Sequence, residues 1–173
     1  LKKRFNIKPE TGKNKGCVMK KILIMCLLSL SLWAAETNVY KVSYNAPVDK
    51  VLKNMLAQFE REMLVVVWQL DILEEFRKKG LDKKFGAEFN KAGLSEVRTL
   101  VACNGKFGND IINADSDMMA YCPVRITLTE KDGVTTVLYV RPTSAPKDSK
   151  AYQSLVKLEK KVTKAIETSM EME

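Results

Sequence analysis

The residues with the richest chemistry are two cysteines, Cys103 and Cys122, in the segment LVACNGKFGNDIINADSDMMAYCPVRI that spans residues 100–126. Cys103-Asn104-Gly105 falls where an apolar strand-like run gives way to a helix-like one. Backbone N–H groups at a helix start favour negative charge, so a thiol placed there is a candidate nucleophile. Asn104 is a good helix N-cap, and Gly105 permits close backbone approach. The same residues also describe a plain strand-to-helix turn with a buried cysteine. Cys122 precedes Pro123 at the start of a later strand. If the two strands are antiparallel neighbours, Cys103 and Cys122 meet and a disulfide between them closes a loop of nearly twenty residues. Three states compete: a structural or labile disulfide, two unlinked thiols, and a soft-metal site.

The sequence contains no histidine among its 173 residues, which removes Ser-His-Asp and Cys-His catalysis and His-ligated zinc. Any metal would be a soft ion such as Cu(I), with Cys103, Cys122 and Met119 as weak candidate ligands beside Met118. Asp110, Asp115 and Asp117 lack the spacing of an EF-hand loop. Gly105-Lys106-Phe107-Gly108 has the outline of a backbone-clamping GxxG, but there is no Walker A or GxGxxG sequence, and no cofactor is expected. No spacing of carboxylates singles out a hydrolytic pair, and these residues name no reaction.

The formal charge of +8 is concentrated at the front. Residues 1–35 carry eight bases and one acid, and residues 36–173 carry 21 bases and 20 acids. A body so near neutrality argues against a nucleic-acid partner. Met19-Lys20-Lys21, the 12-residue run 22–33 and Ala34-Ala35 have the order of a secretory signal peptide. The run is shorter than the roughly 20 residues of a spanning helix, so no membrane span is expected after cleavage. Residues 19–34 are therefore read as a leader, 1–18 as a non-native extension, and 35–173 as a periplasmic domain in which only Cys103 and Cys122 remain.

The elements that must position these thiols follow from periodicity. Alternation predicts a strand over 38–45, and Pro47 opens a helix whose apolar residues, Val48 to Met63, recur every three or four positions. The run LVVVWQL at 64–70 predicts a strand covered on both faces, with Trp68 in the core. Asp71 caps a short helix that Gly80 stops. A helical stretch is expected around 84–90, a strand over 96–103 and a helix over 106–114. Two strands, 124–131 and 134–141, flank Asp132-Gly133, a dipeptide suited to a type I′ hairpin. Asp148 or Ser149 caps a last helix over 148–170. The order β-α-β-α-β-α-β-β-α predicts a single α+β domain, with an antiparallel or mixed sheet and helices mainly on one face. Leu138 and Val140 point away from Val137 and Tyr139, so the second face also needs cover, from a homodimer or from loop 81–93.

Leu70-Asp71, Val101-Ala102-Cys103-Asn104, the helix that follows, and Cys122 before Val124 to Leu128 and Asp132-Gly133 resemble the bacterial domain of unknown function 302 family. The likeness spans a core of about 38–142. Gly105 stands where the family usually has the proline of Cys-Asn-Pro, and Cys122-Pro123 where it often has Pro-Cys. Met63-Leu64 replaces a Gly-aromatic pair, and 81–95 is longer than usual. The resemblance implies a compact α+β fold, commonly a dimer, and no assigned reaction. The expectation is thus an exported small-ligand-binding or thiol-active module around Cys103, Asn104, Gly105 and Cys122, its partner an unidentified small ligand or exported protein. The alternatives are a non-enzymatic dimeric accessory protein with a structural disulfide, and a Cu(I)-binding protein.

Overall fold

Among the described residues five strands form one sheet in the order β1-β5-β4-β3-β2, and all four pairings are antiparallel. The structure, a computed structural model, describes residues 37–171. The leader expected at 19–34 and the extension at 1–18 lie outside them. Along the chain run β1 (Val39–Tyr44), α1 (Val48–Arg61), β2 (Val65–Asp71), α2 (Ile72–Lys78), α3 (Leu81–Phe85), β3 (Glu96–Cys103), α4 (Gly105–Ala114), β4 (Val124–Lys131), β5 (Val134–Val140) and α5 (Tyr152–Ser169). The fold is α+β, and α3 is the element that the expected order did not separate from its loop.

Alternation divides the sheet residues between two faces. Leu100 and Ala102 of β3, Val124, Ile126 and Leu128 of β4, and Val137 and Tyr139 of β5 are buried on one face. The apolar stripes of α1 (Val51, Met55, Phe59) and α5 (Leu155, Leu158, Val162, Ile166) close over that face, and Ile111 of α4 joins the same core. Val48 N–H, at the start of α1, donates to Glu130 at 2.7 Å, which fixes the helix to the end of β4. At the other end of the core, Glu62 receives Lys161 at 2.8 Å and Lys164 at 3.1 Å from α5.

Local signals account for several boundaries. Asp71 accepts from Glu74 N–H at 2.8 Å and starts α2, and Gly80, with φ of 68°, ends that turn. Asp132 and Gly133 have φ of 52° and 74°, the two left-handed residues a type I′ hairpin requires. The last helix starts later than expected. Ser149 Oγ accepts from Ala151 N–H and donates to Asp115 at 2.6 Å, so it secures the approach to α5 rather than capping it. The helical stretch placed at 84–90 is instead α3, followed by a 3-10 turn over Gly86–Glu88.

Two expectations fail at β2. Met63 is not on the buried stripe of α1: the helix ends at Arg61, and Met63 turns the chain with φ of 55° and 69% exposure. The run LVVVWQL is not covered on both faces, because β2 is an edge strand. Val65, Val67 and Trp68 are exposed, Trp68 by 48%, and the register with β3 slips between Val66 and Trp68. A bulge there leaves one residue unpaired and re-aims its neighbours. Beyond it α2 folds back near β3, with Leu73 buried apart from the main core.

Candidate functional site

The pairing of β3 with β4 brings the end of one strand beside the start of the other, with Ala102 opposite Val124. Cys103 is the last residue of β3, and Cys122 is two residues before β4. Their sulfurs stand 3.5 Å apart, both as free thiols. Cys122 is fully buried within the main core, whereas Cys103 is half-buried against it. Any reagent therefore meets Cys103 first.

Burial is the main reason the Cys122 thiol is held protonated, with its pKa pushed up to about 12; the Cys103 sulfur beside it acts in the same direction. A thiolate there would lose its water and face a sulfur rather than a cation. The contacts of Cys103 Sγ are Cys122 Sγ and, at 3.7 Å, the Asn104 carbonyl. Position 108 adds a close neighbour: a Cβ there would lie 3.4 Å from Cys103 Sγ. Gly108 thus leaves room on the helix side of the sulfur.

Asn104 performs the capping role expected of it, and more. Its Oδ1 accepts from Lys106 N–H at 3.1 Å and Phe107 N–H at 3.2 Å, and its backbone carbonyl accepts from Gly108 N–H at 2.9 Å. Those three donors are consumed by Asn104, so they are not offered to the neighbouring thiol as the helix-start argument supposed. Asn104 Nδ2 donates to the Met63 carbonyl at 3.0 Å, tying the start of α4 to the turn between α1 and β2. Sequence spacing gives no sign of this bond across 41 positions.

Gly105 faces open space rather than a close neighbour within the chain. Its φ is outside the left-handed region, and a Cβ there would meet nothing within 4 Å. Close approach belongs to Gly108, the second glycine of the GxxG pattern. The structure therefore brings Cys103, Asn104 and Cys122 together, with Gly105 alongside but without a close neighbour, and adds Gly108 and the Met63 carbonyl.

The donor set for a metal is small. Met118 and Met119 pack against the core, and Met119 gives its carbonyl to Cys122 N–H at 3.2 Å. Among the described residues, no group of three or more Cys, Asp or Glu is arranged to hold a metal ion. Asp115 is engaged with Ser149 and with Asp117 N–H, on the rim of a hollow of about 720 Å³ that also includes Asp117, Asp148 and Lys150. Asp110 is paired with Lys106 at 2.6 Å. These acids serve turns and surface pairs.

An antiparallel five-stranded sheet with α1, α4 and α5 packed on one face, and two thiols at adjoining strand ends, defines the class as a small α+β domain. The chain matches the family described as Domain of unknown function DUF302 over residues 21–169, and it belongs to that family. The match runs past Pro142, where the sequence likeness was placed, and takes in α5. Its fold is similar to the crystal structure of the uncharacterized conserved protein DUF302 from Bacillus stearothermophilus, with a TM-score of 0.65 at 17% identity, over 76% of this chain and 97% of that one. No curated protein matches the chain.

Proposed function

We propose that this chain is an exported, periplasmic thiol-active module, with Cys103 as the entry thiol and Cys122 as the resolving thiol. The observation that carries the reading is the 3.5 Å separation of the two sulfurs, one half-exposed and one buried. Its partner is a disulfide, either on a small molecule or on another exported protein. The Cys103 thiolate attacks one sulfur of the external disulfide, breaks its S–S bond and releases one thiol after protonation. A mixed disulfide on Cys103 remains. Cys122 then gives up its proton and attacks Cys103 Sγ, displacing the second thiol and closing the Cys103–Cys122 bond. Two thiols of the chain are oxidised and one external disulfide is reduced. Burial disfavours the Cys122 thiolate, so the second step is the slow one.

A chromogenic aryl disulfide tests this sequence by counting released thiols. Wild type releases two per chain, in a fast and a slow phase. Cys122→Ser releases one and retains a mixed disulfide on Cys103. Cys103→Ser is silent until denatured. Equal reactivity of Cys103→Ser and wild type in the native state would remove the proposed order of events.

The export part is supported by the charge and apolar pattern of 19–35, and N-terminal sequencing of protein from the native host checks it: a start at residue 35 or 36 agrees, and a peptide containing the 22–33 run disagrees. A second reading, a dimeric accessory protein with purely structural cysteines, has its own support in β2. Among the described residues that strand presents an unpaired edge with Val65, Val67 and Trp68 exposed, and a two-fold axis would set it antiparallel to its own copy. Light scattering decides this: a dimer converted to monomer by Val67→Lys supports self-pairing, and a wild-type monomer at tens of micromolar rejects it.

A further inference from the structure

On the second face of the sheet, over β1, β5 and β4, lies a hollow of about 570 Å³ at the opposite end of the strand order from β2. Its floor follows from strand alternation. Arg125 and Thr127 of β4 point away from the core, as do Leu138 and Val140 of β5 and Val39 of β1. Cross-strand register places Val39 opposite Val140 and Thr127 opposite Leu138. Tyr121 and Pro123, either side of Cys122, form the wall. Cys122 itself is buried in the core and does not line the hollow.

The charge of this hollow is one-sided. Among the described residues, Arg125 is the single charged one of its lining, and no acid lines it. Among the described residues, Arg125 makes no hydrogen bond or ion pair. Two other arginines near the sheet behave differently: Arg98 meets Asp71 at 3.4 Å and Glu96 at 3.1 Å, and Arg141 meets Glu159 at 2.7 Å. The Tyr121 hydroxyl likewise has no partner among the described residues. Lys41, one cross-strand row away opposite Leu138, adds another cation with no ion pair there. Around these donors the walls are apolar, with Val39 and Val140 exposed.

We propose that this hollow binds a small organic carboxylate with an apolar body, a medium-chain fatty or aryl acid. The guanidinium fork of Arg125 matches a carboxylate in two parallel N–H···O bonds, and Tyr121 O–H supplies a third donor. Val39, Pro123, Leu138 and Val140 take the hydrocarbon. The volume lies within the roughly 300–1,000 Å³ of small-molecule sites. One cation in an apolar lining suits a singly charged head better than a polyphosphate. A second copy of this chain fits poorly, because face-to-face packing would bring cations together with no acid in the lining to receive them. The site is separate from the thiol pair and from the β2 edge.

Decanoate below its micelle concentration is the probe, followed by calorimetry and by amide chemical shifts. Expected is saturable one-to-one binding with shifts confined to β4, β5, β1 and 120–123. Decyltrimethylammonium, with the same chain and the opposite charge, binds at least tenfold more weakly. Arg125→Gln loses at least tenfold in affinity for decanoate while keeping the wild-type melting temperature, since Arg125 has no partner to lose among the described residues; Arg125→Lys recovers part of the loss. Equal binding of the two amphiphiles, undiminished binding by Arg125→Gln, shifts elsewhere, or no binding at millimolar decanoate would each overturn the proposal.

Discussion

Closing the Cys103–Cys122 bond changes stability by an amount that can be worked out from the fold. The sulfurs must move together by about 1.5 Å, from 3.5 Å to a bond length of about 2 Å. The flanking groups allow this: Cys103 ends its strand, Cys122 lies before β4 begins, and Gly108 keeps a side chain away from the moving sulfur. The bond spans 19 positions. Loop-closure entropy for a ring of about twenty residues gives about 3 kcal/mol in favour of the oxidised chain. With a urea dependence of about 2 kcal/mol per molar, the unfolding midpoint rises by about 1.5 M on oxidation. The assay is urea unfolding followed by far-UV circular dichroism, on reduced protein and on protein oxidised with diamide. A mass loss of two hydrogens and a monomeric peptide map verify the intramolecular bond. An oxidised form no more stable than the reduced one would mean that the strand ends resist closure, and the reasoning from geometry would fail.

The remaining predictions concern the supports of that site and its ionisation. Asn104→Ala removes a cap accepting two N–H groups and the bond to the Met63 carbonyl, and is expected to lower stability by about 2 kcal/mol in the same urea assay. Glu159, largely buried, accepts from Arg141 at 2.7 Å and from Thr143 N–H at 2.9 Å, so Glu159→Ala should cost about 2 kcal/mol, with Arg141 partly open to water limiting the loss. Alkaline titration is expected to unfold the chain. Burial raises Tyr139 to about 12, against the opposing pull of the Thr163 hydroxyl and the Arg141 charge, and burial followed by the Glu167 charge raises Tyr40 and Tyr44. Cys122 is raised to about 12 for the reasons given. Each such acid is neutral in the fold, so its contribution is complete below its unfolded pKa and is lost as pH climbs toward the folded value, at up to about 1.4 kcal/mol per pH unit. Reduced protein should therefore begin to lose stability near pH 9, and oxidised protein, which has no Cys122 thiol, only near pH 10; identical pH profiles would contradict the assignment to Cys122.

Much of the architecture was readable from local chemistry. Asp71 and Gly80 bound α2, Asp132-Gly133 makes its hairpin, Asn104 caps α4, and the three-and-four spacing in α1 and α5 marks the faces that meet the sheet. Those signals are short-range, and each residue acts within a few positions of itself. The failures are long-range. A continuous apolar run such as 64–70 states that the strand is hydrophobic, not where it sits in the sheet, and in this fold it sits at an edge. Trp68 was assigned to the core on that basis. Met63 fits the helical period of α1, yet the helix stops two residues earlier and its carbonyl receives Asn104 instead. The nearness of the two sulfurs was legible only through the antiparallel pairing of β3 and β4, which placed their ends together. The close neighbour within the chain is at Gly108 rather than Gly105, because a glycine's use depends on what a Cβ would meet. Arg125 has no sequence signal, since a lone arginine in an alternating strand looks like any solvated residue until its neighbours are known.

The central claim is that Cys103 and Cys122 act as a single two-electron unit. Equilibrating the purified protein over a series of glutathione redox buffers, quenching in acid and alkylating the free thiols reads both positions at once by peptide mass. The account predicts one transition in which Cys103 and Cys122 lose their alkylation together and appear as a linked peptide pair. Cys103 collecting glutathione while Cys122 stays alkylatable after unfolding, across the whole series, would contradict it.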